Sequence, residues 1–274
     1  FTTGGEFYIS SSPITPGNIA IKNQTRFGSS TTPPVNIDGA TLFLDYGQSS
    51  VREFLFSWEE DAYTSNSATL LASHLITTPV DMDARRGTAT EDANYVYVVN
   101  SDGTMAVFNT LRAQQVAGWT RWQTTGEIQA VTVEGTEVWF AVKRTINSAT
   151  VYYLEKADPD TYTDANKKQT QSASTTVSNL AHLNGQSCRV RADGSIMDDA
   201  TPSSGSITLA RNGTVVEVGL DYDVTVTTMP VTSDFNNGSI LTEKKRLIRI
   251  VGDFYQTLGV YVTTTGTSSN VLVP

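Results

Sequence analysis

Tyr95-Val96-Tyr97-Val98-Val99-Asn100-Ser101-Asp102-Gly103-Thr104-Met105-Ala106-Val107-Phe108 is the stretch whose reading decides the fold. Two short runs of β-branched, aromatic and small apolar residues flank a polar turn. Such runs pack well on a pleated surface. Asp and Gly tolerate positive φ, so Asp102-Gly103 predicts a hairpin turn of type I′. Gly118-Trp119-Thr120-Arg121-Trp122 closes this unit. A second unit follows at once: a strand at 128–133, a turn at Glu134-Gly135, a strand at 137–142, a turn at Asn147-Ser148 and a strand at 150–154. Two meanders of similar length back to back predict consecutive β-propeller-like blades.

Working outward, the same texture covers most of the chain. Residues 6–9, 40–44 and 51–58 read as strands, the last because Arg52, Phe54 and Phe56 alternate with Val51, Glu53 and Leu55 at period 2. Residues 64–75 form the one helix candidate, with Asn66 or Ser67 as cap and Leu70, Leu71, His74 and Leu75 on one face. Residues 81–91 are polar and read as a loop. Residues 157–178, rich in Asp, Thr, Ser, Gln and Lys, read as a linker. Beyond it, Asp193-Gly194 and Asn212-Gly213 predict further hairpin turns, with strands at 205–209, 215–220 and 224–228. A last hairpin is expected from 245–251 and 254–262. The fold class is therefore all-β, with propeller-like blades over 1–165, return strands at 241–265, and an inserted or appended small β-sandwich or barrel module at 180–240.

Composition narrows the function classes. The 274 residues suffice for a sizeable core. Charged residues are only 17% and Thr, Ser, Gly and Val abound, a β-rich balance. The net charge of -9 disfavours a nucleic-acid clamp, which needs a basic face. The single Cys188 permits no intrachain disulfide and reads as a small buried apolar residue. No apolar run reaches the roughly 20 residues of a membrane span, and no signal peptide is visible. Phe1 stands within strand-like sequence, which suggests a fragment or a trimmed chain.

Few residues invite chemistry. Asp81 and Asp83 fall on one side of an extended chain and could act as a paired acid and base on a glycan, but solvated loop acids are commoner and that reading is preferred. Glu59-Glu60-Asp61 reads as a solvated turn. Asp221 and Asp223 could contact Ca²⁺, although no loop of fixed ligand spacing surrounds them. His74 reads as a helix-terminal residue and His182 as a turn residue, and neither fits a Ser-His-Asp arrangement. Gly4-Gly5 lacks the helix and lysine of a phosphate loop. Trp119 and Trp122, flanking Arg121, could stack on a sugar, but packing between blades is preferred. Ser101-Asp102-Gly103-Thr104 is similar to a sialidase Asp-box turn without its spacing or closing Trp. Lys244, Lys245 and Arg246 with Arg249 form the one basic cluster, a solvated strand edge or a subunit interface. No catalytic, cofactor-binding or metal-binding residue is assigned.

Taken in order, several segments resemble the tail nozzle, or tail tubular protein B, family of short-tailed bacteriophages. They are Gly4-Gly5-Glu6-Phe7, Ile14-Thr15-Pro16, Gly28-Ser29-Ser30, Val51-Arg52-Glu53-Phe54, Asp61-Ala62-Tyr63 and Leu70-Leu71-Ala72-Ser73-His74-Leu75. Asn100-Ser101-Asp102-Gly103-Thr104, Gly118-Trp119-Thr120-Arg121-Trp122, Glu137-Val138-Trp139-Phe140 and Lys143-Arg144 continue the series. Leu183-Asn184-Gly185, Ala192-Asp193-Gly194, Val218-Gly219-Leu220-Asp221-Tyr222, Lys244-Lys245-Arg246 and Thr257-Leu258-Gly259 complete it. The resemblance implies a virion protein of the phage tail, structural and not enzymatic. It implies a homo-oligomeric ring, a hexamer, that touches neighbouring tail and adaptor proteins and lets DNA pass without specific binding. It carries over no catalytic residue and no cofactor. The alternative is a carbohydrate-binding or polysaccharide-degrading β protein.

Overall fold

The computed structural model describes residues 1–10, 12–88, 91–229, 234–235, 238–239, 249–253, 260–263 and 271–273. The protein is all-β: among the described residues every element is a strand or a single 3₁₀ turn, and no sheet closes on itself. Residues 1–223 make one compact unit and residues 224–274 another.

The first unit begins with a hairpin, β1 (Glu6–Ile9) and β2 (Ile21–Thr25). Three antiparallel meanders follow, each with its strands in sequence order. Sheet one holds β3 (Val35–Ile37), β4 (Ala40–Leu44), β5 (Val51–Ser57) and β6 (Ala62–Ser67). Sheet two holds β7 (Pro79–Arg85), β8 (Asn94–Asn100), β9 (Met105–Leu111) and β10 (Val116–Trp122). Sheet three holds only β11 (Glu127–Glu134), β12 (Glu137–Ile146) and β13 (Ala149–Lys156).

The central strands of sheet two are buried on both faces over 96–99 and 105–108, which is why those runs are apolar and do not alternate with polar residues. Val96, Val98, Ala106 and Phe108 pack with Leu42, Leu44 and Val51 of sheet one. Their neighbours Tyr97, Val99, Met105 and Val107 point the other way, into Ile128, Val131, Val138 and Val142 of sheet three. The three sheets are therefore stacked in sequence order, with β7 lying against both β3 and β11.

The fourth sheet has the order β14-β17-β15-β16, from β14 (Asp164–Val177), β15 (Cys188–Ala192), β16 (Ser195–Ala200) and β17 (Ile207–Leu220). It has its own core: Val177, Leu180, Leu183, Cys188, Val190, Ile207, Val216 and Val218 among others. The second unit holds two short hairpins, β18 (Asp234–Phe235) with β19 (Gly238–Ser239) and β20 (Val260–Val262) with β21 (Val271–Val273).

Several sequence expectations shift. The helix expected at 64–75 is instead the end of β6, a turn and a 3₁₀ turn at Ser73–Leu75. Pairing of β6 with β5 claims Tyr63 to Ser67, and Leu70 and Leu71 are 77% and 92% exposed, so the supposed apolar stripe has nothing to cover. Helix propensity is weak enough for sheet pairing to override it. Residues 81–91 are not all loop, since β7 runs to Arg85.

The linker expected at 157–178 contains the fourteen-residue strand β14, paired along its length with β17. It is an edge strand, so its side chains stay polar and only its last residue, Val177, is buried. The strands of the fourth sheet thus run from Asp164 to Leu220. Asn212-Gly213 is no turn but lies inside β17. No strand forms at 224–228, and most of the return strands expected at 241–265 lie outside the described residues.

Turn chemistry also differs by site. Asp193-Gly194 has φ of +50° and +81°, as a type I′ hairpin requires, and Asn147-Ser148 follows the same rule with +48° and +64°. Asp102 has no positive φ; only Gly103 does, at +82°. The β8–β9 connection is therefore a three-residue loop with a left-handed glycine, closed by the Gly103 amide on the Asn100 carbonyl at 3.1 Å. A Cβ on Gly103 would sit 2.7 Å from Glu127 Cβ, so close contact with sheet three fixes glycine there.

Candidate functional site

The polar residues that looked like candidates for chemistry are mostly used to join one sheet to the next. Asp81 and Asp83 both stand on β7, spaced by two so that their carboxylates fall on the same side. One oxygen of each accepts the adjacent amide, Met82 for Asp81 and Ala84 for Asp83. The other oxygens accept the amides of Val131 at 2.9 Å and Val133 at 2.7 Å, on β11. The two strands are not paired in a ladder, and the carboxylates serve in place of the missing carbonyls. The expectation of solvated loop acids is corrected: these are strand residues with their lone pairs engaged.

Asn100 plays the same part between sheets one and two. It is buried, its amide donates to the Leu75 carbonyl at 2.9 Å, and its oxygen accepts the Thr77 amide at 2.9 Å. Ser101 belongs to the same connection through its amide and the Thr78 carbonyl. Asp102 accepts from the hydroxyl and amide of Thr104. The Thr104 hydroxyl leads the effects that hold its carboxyl below the usual carboxylate range. These bonds stabilise the loop from within.

The two tryptophans divide between the faces of sheet two. The Trp119 ring stacks on Phe108 at 4.6 Å, and its indole N–H donates to the Ala68 carbonyl at 2.9 Å. Trp122 meets Tyr97 and Phe140 edge-on at 6.1 and 6.5 Å. They form no common platform.

Arg144 on β12 is the hub between sheet three and the fourth sheet. Its side chain is 3% exposed, and Nε and one terminal nitrogen fork onto Glu155 at 2.5 and 2.6 Å. The other terminal nitrogen donates to Thr124 Oγ1 and the Thr125 carbonyl, both at 2.8 Å. Asp164, where β14 begins, lies 3.6 Å away and also accepts the Thr124 hydroxyl. Burial opposes the charge, but the Glu155 bonds prevail and the guanidinium pKa is raised. Nearby, buried Glu217 on β17 accepts the Tyr162 amide at 2.6 Å and the Thr163 hydroxyl at 2.9 Å, fixing the segment that links the two sheets.

His182 closes this junction from the fourth sheet. Its Nε2–H donates to the Ala165 carbonyl at 3.0 Å and its ring meets Tyr153 edge-on at 6.3 Å. Burial, chiefly, holds its pKa below the ordinary histidine value. His74 sits in the 3₁₀ turn, exposed, and the two histidines do not share a site.

The remaining candidates are quickly placed. Asp221 is paired with Arg189 at 2.8 Å, and Arg189 also holds Asp199. Asp223 is exposed. Among the described residues no group of three or more His, Cys, Asp or Glu could hold a metal ion. Cys188 is buried in the core of the fourth sheet, and burial pushes its thiol up to about 11, as an inert packing residue requires. Of the basic cluster, Lys244, Lys245 and Arg246 lie outside the described residues, and Arg249 is exposed.

What is left open on the first unit is sheet three. Among the described residues its outer strand β13 has no strand neighbour on one edge. Tyr152 and Leu154, two apart and so on one face, are 68% and 69% exposed. Among the described residues no helix is long and apolar enough to cross a membrane. In comparisons with known proteins the chain matches no family model and no curated protein.

Proposed function

We propose that the protein is a structural component of a bacteriophage tail, a nozzle-like subunit that forms part of a DNA conduit. The observation that carries this reading is the stack of three consecutive antiparallel meanders with β3, β7 and β11 side by side. Successive propeller blades around an axis would stack their meanders in this way, which supports the reading. It agrees with the blade architecture implied by the resemblance of the sequence to tail nozzle proteins. The engagement of Asp81 and Asp83 with backbone amides favours a structural role over glycan hydrolysis, which needs carboxylates facing a substrate.

In this reading the chain assembles into a homo-oligomeric ring against neighbouring tail and adaptor proteins. The charge balance, 28 acidic against 19 basic residues, suits a conduit. Each lysine or arginine on a phosphate adds sequence-independent affinity and would slow passage of the duplex. The test is a reconstruction of the assembled particle by electron cryomicroscopy. The expected map shows a ring whose inner wall is mainly acidic and neutral. A wall dominated by lysine and arginine, or the absence of this chain from tail particles, refutes the proposal.

A further inference from the structure

We infer that β13 is an acceptor edge for strand exchange, and that it takes residues 222–228 from a second copy of this chain. Among the described residues sheets one and two have four strands each and sheet three has three, its last being β13. That strand pairs with β12 without a register break, from Trp139 opposite Lys156 to Ile146 opposite Ala149. It carries no proline and no bulge, and its two charged residues stand together at one end, Glu155 held by Arg144 and Lys156 by Glu137. Tyr152 and Leu154 leave an apolar row that a fourth strand would continue on the same face.

The donor has the matching pattern. Residues 222–228 read Tyr-Asp-Val-Thr-Val-Thr-Thr, β-branched at five consecutive positions. The segment belongs to no strand, and Val224 and Val226 are 79% and 82% exposed. Among the described residues neither this strand-forming sequence nor the β13 edge has a strand partner, and a second copy of the chain offers each what it lacks. An antiparallel register with Val224 opposite Leu154 sets Val226 opposite Tyr152 and Thr228 opposite Thr150. Both apolar pairs then share one face. Asp223 falls opposite Glu155, whose charge Arg144 already holds.

Acceptor and donor are different surfaces, so the contact is heterologous and head-to-tail. It closes a ring if its rotation closes. The inference rests on the ring reading above only for that closure.

The test uses the whole chain. Leu154→Cys and Val224→Cys are made in separate chains, mixed and oxidised, with buried Cys188 as a silent background. We expect a disulfide joining one chain of each kind, and none when Thr225→Cys, on the opposite face, replaces Val224→Cys. A disulfide found only within a single chain carrying both cysteines, or none at all, overturns the exchange. The second variant is Thr225→Pro with Val226→Pro, one of which must remove a ladder N–H. Sedimentation of the wild type should show concentration-dependent assembly that this variant loses while its thermal midpoint is unchanged. Equal assembly by both, or a wild type monomeric up to its solubility limit, also overturns it. Open chains or dimers that carry the 154–224 disulfide uphold the exchange and sink the ring; a ring without that disulfide does the reverse.

Discussion

Replacing Asp81 and Asp83 with Asn tests the role assigned to the β7 carboxylates. Asn keeps the shape of Asp, so no cavity opens. It offers one acceptor oxygen instead of two. Each aspartate now serves two amides, its neighbour's and one on β11 at 2.9 Å for Val131 or 2.7 Å for Val133. After substitution one amide of each pair must face an NH₂ donor. Hydrogen bonds to charged groups contribute about 1.5–3 kcal/mol each. Both side chains are partly exposed, which places each single change near the low end, about 1–2 kcal/mol. The double variant should lose about 1.5–3 kcal/mol, less than the additive sum because the two residues hold the same strand pair. For a chain of this size that lowers Tm by roughly 5–10 °C. The assay is urea and thermal unfolding of wild type, both single variants, the double variant and Glu134→Gln as an exposed control on β11. A double variant within about 0.5 kcal/mol of wild type, as for ordinary surface changes, would refute the reasoning and leave the two carboxylates as ordinary solvated acids on β7.

Three other outcomes are expected. Arg144→Ala should cost about 3 kcal/mol or more, because it strands Glu155 and Asp164 beside a buried hub; Arg144→Lys should recover little of it, since an ammonium cannot form the fork, and denaturant midpoints decide. Gly103→Ala should cost more than the roughly 1–2 kcal/mol of a left-handed Ala, because the added carbon meets Glu127; a midpoint equal to wild type would remove the contact from the argument. His182 has a folded pKa below its ordinary 6.5, so the unfolded chain takes up the proton first and stability falls as pH drops below about that value. The slope is at most about 1.4 kcal/mol per pH unit, and it should vanish in His182→Gln when unfolding is followed from pH 7 to 5.

The sequence made the strands legible wherever burial was two-sided or the turn was sharp. Residues 95–99 and 105–108 could be read because both faces are apolar, and Asp193-Gly194 because only a few residues accept its φ values. Strands that face solvent were harder. β14 has no apolar alternation to reveal it, and β7 begins with Pro79 and carries two acids, both loop signals. The supposed helix failed for the opposite reason, since a spacing that could form a stripe had no core to meet. The joining residues left no local signal, because Asp81 and Val131 are fifty positions apart and Arg144 and Asp164 twenty.

These junctions share a physical cause. Stacked sheets meet through side chains and have no common ladder, so an edge amide at the meeting point finds no carbonyl opposite it. A buried amide without an acceptor costs about 1–3 kcal/mol, and burial therefore demands a side chain that can reach across. Asp81 and Asp83 do this between sheets two and three, Asn100 between one and two, and Glu217 at the start of the fourth sheet. Each is short or fixed by its own strand, so it holds one sheet at a defined height on the next. The same logic bears on the open end of the stack. Among the described residues β13 has no strand on its outer edge, and the amides and carbonyls of such an edge can bond to water instead. A strand laid there gains little from those hydrogen bonds alone. Its affinity must come from covering Tyr152 and Leu154, at about 25 cal/mol per Å² of apolar surface. Leu154→Asp should therefore abolish assembly through this edge while leaving the buried faces of sheets two and three, and hence the unfolding midpoint of the monomer, within about 0.5 kcal/mol of wild type. Unchanged assembly in Leu154→Asp would show that the apolar row does not drive the contact.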